Sequence, residues 1–286
     1  MRIRTGFTNG GVILILIIAI LTVRCTGRQR SQSPEGYDLN QPEKYNMPDE
    51  LTEISGITFN DGNADTIFAE QDEDGKLFYF NLGSKDIHYT KFGKGGDYED
   101  VAIGNKTAIL LRSDGALFTF PYSELTSGEA NSKKNEDLLP KGEYEGLYAD
   151  KDEVYVLCKD CSIEKSSKST TLFNLKLAPD GTLKNKGSYA IDVKKIEELT
   201  GQKKINFHPS GLAKNPLTGE WLILSSVNKM LVTAGPDFKI KKVLALNPAV
   251  FHQPEGITFS RAGDLYISNE GDKLSPGNIL KFTYKK

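Results

Sequence analysis

One phrase recurs five times along the chain: EISGITF from Glu53, YEDVAI from Tyr98, YEGLYA from Tyr144, HPSGLA from His208 and QPEGITF from Gln253. Each copy sets a polar residue ahead of a Gly or Asp and then alternates apolar side chains, the pattern of a half-buried strand. Aligned on the polar residue, Ser55, Glu99, Glu145, Ser210 and Glu255 are spaced 44, 46, 65 and 45 residues apart. A period near 45 residues matches one four-stranded blade of a β-propeller. A second strand follows each phrase (TIFAEQ, AILLRS, VYVLCK, WLILSS, LYISNE), and a third follows a turn (KLFYFNL, ALFTFPY, TLFNLKL, MLVTAGP, NILKFTY), always in that order. The long interval belongs to the third unit. There CSIEKSSKST lengthens one hairpin and VKKIEEL, from Val193 to Leu199, reads as a short helix in a later loop; insertions into such repeats map to loops. The expected fold is all-β, a five-bladed β-propeller, with a six-bladed ring as the alternative.

The fifth unit reaches Lys286 directly after its third strand, and an open ring would present raw strand edges. Residues 37–50, beginning YDLNQPEKYN, echo the segment VLALNPAVFHQPEGI that closes the fourth unit. They are therefore expected to supply the missing strand and close the last blade; the competing reading makes them plain tether. The expected layout is a signal or membrane anchor over 1–25, a flexible tether over 26–37, and the propeller over 38–286.

With 26% charged and 38% hydrophobic residues the chain has the composition of a folded domain. A formal net charge of −2 gives no basic face for a nucleic-acid partner. Arg2 and Arg4 precede an apolar run from Val12 to Val23. That run is shorter than the roughly 20 residues of a full span, and a positive start followed by a short apolar stretch is the pattern of a secretory signal. It ends at Cys25, so two readings stand: a lipoprotein acylated at Cys25, against which Arg24 replaces the usual small residue, or an uncleaved N-terminal anchor. Both attach the chain to a membrane through its N-terminus and put its bulk in the cell envelope, facing the periplasm or the exterior. Acylation of Cys25 would leave Cys158 and Cys161 to form a disulfide; the alternative is two free thiols. The C-x-x-C spacing lacks the βαβ context of a redox motif.

Taken in order, SGITF, DYEDVA, YEGLYA, HPSGLA, PEGITF and LYISNEG resemble the SdiA-regulated family of bacterial envelope proteins, itself distantly similar to NHL-repeat propellers, over about residues 38–286. The resemblance implies a five-bladed propeller, a calcium site and a membrane-bound location outside the cytoplasm. It implies no defined activity. The chain departs from the family after the second strand of units three and four, where Lys159 and Ser226 replace acidic residues.

The repeat also points to chemistry. In a closed ring the first strand of each blade lines the axis, so Glu99, Glu145 and Glu255 would converge near one mouth. Three close carboxylates either rise in pKa or share a cation. Calcium suits such a site, because it takes 6–8 oxygen ligands. Ser55 and Ser210 could add hydroxyls, and Glu270 stands in a second tier. The competing reading pairs each glutamate within its own blade. His208 and His252 enter first strands and are either acid–base groups near the mouth or surface residues. EQDEDG from Glu70 starts like an EF-hand loop, but Asn81 stands at the twelfth position, so it reads as a hairpin turn. The reading that follows is a monomeric calcium-binding module for an unknown ligand or protein at the propeller mouth, favoured over its alternative, a calcium-dependent hydrolase of esters, lactones or phosphate esters.

Overall fold

The computed structural model of the protein describes residues 32–286. A short strand, β1 (Glu43–Asn46), comes first. The first blade then runs β2 (Ile54–Asn60), β3 (Asn63–Gln71), β4 (Lys76–Phe80) and β5 (His88–Lys91), and the second β6 (Tyr98–Gly104), β7 (Thr107–Arg112), β8 (Leu117–Pro121) and β9 (Lys133–Asn135). The third comprises β10 (Gly142–Asp150), β11 (Glu153–Cys161), β12 (Ser169–Leu177) and β13 (Leu183–Asp192). The fourth comprises β14 (Gly211–Lys214), β15 (Trp221–Ser225), β16 (Met230–Ala234) and β17 (Ile240–Ala245). The fifth is β18 (Pro254–Phe259), β19 (Leu265–Asn269) and β20 (Asn278–Phe282), with β1 as its outermost strand.

Each blade is thus a four-stranded antiparallel sheet. β1 pairs with β20 from Glu43 opposite Lys281 to Asn46 opposite Asn278, the closure anticipated for residues 37–50. The apolar alternation has its counterpart in five separate cores, one in each seam between neighbouring blades. Leu77, Val101, Leu110 and Phe120 fill one between the first and second blades, and Met47, Ile57, Phe78, Tyr266 and Ile279 fill the one that joins the fifth blade to the first. Five seams for five blades make the ring continuous, which leaves no place for a sixth.

The packed body begins earlier than the sequence suggests. Residues 33–37, expected as tether, lie on the fifth blade: Tyr37 is buried, its hydroxyl donates to the Gly263 carbonyl at 2.6 Å, and its ring meets Tyr284 at 5.5 Å between centroids. The apolar surface of Tyr37 and Leu39 completes the core of the fourth seam, and that burial is what holds the segment down. The insertion in the third unit forms α1 (Val193–Thr200), which buries Val193 and Ile196 and is capped by the Asp192 side chain accepting from the Lys194 amide at 2.9 Å. Among the described residues no helix is long and apolar enough to cross a membrane. The proposed anchor and Cys25 lie outside the described residues.

Candidate functional site

The ring positions owe their direction to a local irregularity. Where β6 pairs with β7, Tyr98 faces Arg112 and Asp100 faces Leu111, so Glu99 is an extra residue. The same two-against-one step occurs at Glu145 on β10, between Ile54 and Ile57 on β2, and between Pro254 and Ile257 on β18. A β-bulge re-aims the side chain it carries; here it sets Ser55, Glu99, Glu145 and Glu255 off their blades' own packing faces, at the start of the inner strands. Ser210 precedes β14 in the equivalent place, its amide bonded to the Leu224 carbonyl.

The next residue forms a second layer: Gly56, Asp100, Gly146, Gly211 and Gly256. Inner strands approach so closely here that a Cβ at Gly211 or Gly256 would lie 2.5 Å from the carbonyl oxygen of Glu255 or Ser55 on the adjacent blade. Asp100 is the exception, and it serves as a clamp. Its fully buried carboxyl accepts from the amide of Leu147 on the next blade at 2.6 Å and from Val101 at 2.8 Å. Glu70, on β3, accepts from Gly56 at 2.6 Å through Oε1, while its buried Oε2 has no partner. Burial raises the pKa of both groups well above the ordinary carboxyl range, against the pull of those backbone donors.

Electrostatics gather the predicted ligands at one mouth. Burial first, then the charges of Glu145 and Asp97, raise Glu99 to about 9, with Lys159 opposing. Glu255 is raised to about 8 by burial, then by Glu145 and Glu270, with a hydrogen bond from Ser226 opposing. Glu270 is raised by burial and by Glu53, and Gln253 hydrogen-bonds its carboxylate. Asp72, which sequence reasoning had placed in a plain turn, is raised to about 6 by burial and then by Glu53 and Glu270; its buried Oδ1 has no partner.

Three predicted participants are engaged otherwise. Glu145 is ion-paired with Lys159, which also approaches Glu143 at 3.9 Å. The Ser55 and Ser210 hydroxyls donate to the Glu99 and Pro254 carbonyls of the neighbouring blades at 3.1 and 2.9 Å, stitching inner strands together. Lys159 is held by its surroundings: Cys158 and Cys161 on either side of it are joined in a disulfide, with Cα atoms 6.1 Å apart. Among the described residues the only three acidic, histidine or cysteine side chains with ligand atoms all within 4.8 Å of one another are Cys158, Cys161 and Glu164, and those sulfurs are already bonded to each other. The mouth carboxylates therefore face each other across a wider gap. His208 bonds through its backbone to Asn228, and His252 is exposed with its carbonyl on the Lys229 ammonium.

Chemically, the mouth offers hard oxygen donors in excess of cations. Glu99, Glu255, Glu270 and Asp72 are the residues that could offer oxygens to a calcium ion, and Asp72 Oδ1 is buried without a partner; as placed, no three of these carboxylates bring oxygens within 4.8 Å of one another.

Fold and mouth together define a five-bladed propeller with an acidic axial entrance. Residues 30–274 match the SdiA-regulated family, and the chain belongs to it. No curated protein matches the sequence significantly. Among solved structures, glutaminyl cyclase from Myxococcus xanthus superposes with a TM-score of 0.58 at 15% identity, over 85% of this chain and 94% of that one. A luciferin-regenerating enzyme gives 0.51 at 8% identity, over 85% and 95%. Regucalcin from Agrobacterium tumefaciens, a calcium-binding protein, gives 0.49 at 11% identity, over 87% and 95%. At such identities the likeness concerns the fold alone.

Proposed function

We propose that this protein is a membrane-attached, extracytoplasmic binding module whose acidic mouth takes a calcium ion, with the ion and the surrounding loops forming the contact surface for a ligand or protein. The observation that carries the reading is the set of bulge-aimed carboxylates whose pKa values are driven up by burial and by one another. Holding several such groups ionised at neutral pH requires compensating charge, and Lys159 together with Lys229, which interacts with Glu255, supplies only two. The compartment is supported by the Cys158–Cys161 disulfide, since such bonds persist in oxidising surroundings, and by the N-terminal apolar run from Val12 to Val23, shortly before Cys25.

Calorimetric titration of chelator-treated protein tests the ion. One calcium site is expected, with magnesium weaker because it demands a compact octahedron, and Glu99→Gln or Glu255→Gln should abolish it. At a hundredfold excess over Kd, binding confined to the folded state adds about 2.7 kcal/mol, or roughly 5–10 °C in Tm. No heat and no shift in Tm at millimolar calcium would overturn the proposal. Cell fractionation of the parent and of Cys25→Ser tests the attachment: recovery of the parent in the soluble cytoplasmic fraction would refute it.

A further inference from the structure

The same five inner strands end at the opposite mouth, where they enclose a well of about 370 Å³. Its lining includes one buried aliphatic residue per blade, Ile57, Val101, Leu147, Leu212 and Ile257, each at the same register against its second strand. One step outward the wall is half-buried and carries hydroxyls: Thr58, Tyr148 and Thr258. None of these three hydroxyls has a protein hydrogen-bond partner among the described residues, so each is free to meet a ligand.

The rim adds charge. Lys151, Lys214 and Arg261 stand against Asp61 and Asp150. Elsewhere on the surface many lysines have found a carboxylate, as Lys133 has Asp180 at 2.9 Å and Lys241 has Glu220 at 2.8 Å. Among the described residues no carboxylate oxygen lies within ion-pair reach of Lys151, Lys214 or Arg261. Two of the three are nevertheless held at the rim: the Lys214 ammonium lies 5.5 Å from the centre of the Trp221 ring, and Arg261 donates to the Asp61 carbonyl at 2.8 Å. A cation kept in place without a counter-ion, beside unclaimed hydroxyls and above an aliphatic floor, is arranged for an anion with an apolar body.

We infer that this well is a second binding site, for a small amphipathic monoanion: an apolar or aromatic body on the aliphatic ring and a carboxylate or sulfonate toward Lys214 and Arg261. At about 370 Å³ the well sits near the low end of ligand-pocket volumes, so the body is at most about three rings or a short acyl chain. The site lies at the other end of the axis from the calcium proposal and does not depend on it.

Two dyes with the same naphthylamine body separate the contributions. 8-Anilino-1-naphthalenesulfonate carries the anion, and N-phenyl-1-naphthylamine lacks it. With chelator present throughout, the sulfonate dye should bind saturably at one site, at least about tenfold tighter than the neutral dye, a difference of about 1.4 kcal/mol. Lys214→Glu with Arg261→Glu should erase that preference while leaving the neutral dye unchanged. Thr258→Trp, or Thr58→Trp if the first variant loses its native circular dichroism, should block both dyes by filling the well. Equal affinity for the two dyes, sulfonate-dye binding untouched by the charge reversal, or binding that survives both tryptophan variants in folded protein would each overturn the inference.

Discussion

At their first residues the five inner strands carry Glu99, Glu145 and Glu255 toward the axis; at their last they carry Lys214 and lead into Lys151 and Arg261. The backbone ring is one and the same, yet the two mouths have opposite character. The first mouth is built on bulges, each of which frees one side chain from its own blade and collects acid near the axis. Past the bulge the register is regular through the residues that line the well, as from Ile57 to Phe59 on β2, side chains alternate, and the well at the far mouth inherits the aliphatic floor and hydroxyl wall that plain strand periodicity provides. A repeat fixes where equivalent residues stand; a one-residue irregularity decides where they point.

The layer between the mouths is where the largest effect is expected. Asp100→Ala removes the acceptor for two buried amides, Leu147 and Val101, and each orphaned donor costs about 1–3 kcal/mol. Denaturant unfolding should therefore show a loss of about 3 kcal/mol, and Asp100→Asn should recover only part of it, because its single amide oxygen can accept from one of the two donors and its NH2 opposes the other. A loss below about 1 kcal/mol would mean that Asp100 does not clamp the blades and that the two ends are joined by backbone packing alone.

The pH response separates the mouths next. Glu99 and Glu255, raised from 4.5 to about 9 and about 8, hold protons in the folded state that the unfolded chain has released. Stability of the calcium-free protein is then full below about pH 4.5 and is lost as pH climbs toward 9. After discounting for solvent at the mouth the loss is on the order of 2 kcal/mol. Urea midpoints at pH 5, 7 and 9 should fall in that order without calcium and level off with it. Charge reversals at the far mouth should leave the slope alone, and a slope that follows Lys214 or Arg261 instead would contradict the assignment.

The smallest effect falls on a single pair. Lys159 is the cation that Glu145 already has. Replacing it with Met frees a carboxylate and removes a competing positive charge, so calcium affinity should rise about tenfold, equivalent to about 1.4 kcal/mol. Weaker binding by Lys159→Met in titration calorimetry would show that the lysine supports the site rather than competing for it.

Much of this was legible beforehand, because a repeat period near 45 residues carries rotational equivalence with it. The five blades and the equivalence of Glu99, Glu145 and Glu255 follow from that spacing, and the closing strand from the echo of the fourth unit in residues 37–50; Asp72, read as part of a hairpin turn, does not. The bulges were not legible: one extra residue in a strand pair looks like ordinary alternation until the register with the partner is known. Asp100 did leave a signal, since it holds a position that is glycine in the other four copies, SG, EG, SG and EG against ED. Lys159 stood out as a departure from the family, but its pairing with Glu145 depends on the hairpin register and on the disulfide around it. Tyr37 stood at the boundary between the tether and the closing segment, because one buried ring in a polar stretch carries no periodicity.

The seam between β1 and β20 joins residues 43–46 to residues 278–281 by four backbone pairs. While the ribosome is still emitting the first four blades, β1 waits without its neighbour, and the circle can be completed only after synthesis has passed Phe282. Tension from the N-terminal side would meet the packing of Tyr37 first, and because Glu43 and Lys281 lie at the same end of the antiparallel pair, a pull between the two chain ends would then peel β1 from β20 one pair at a time.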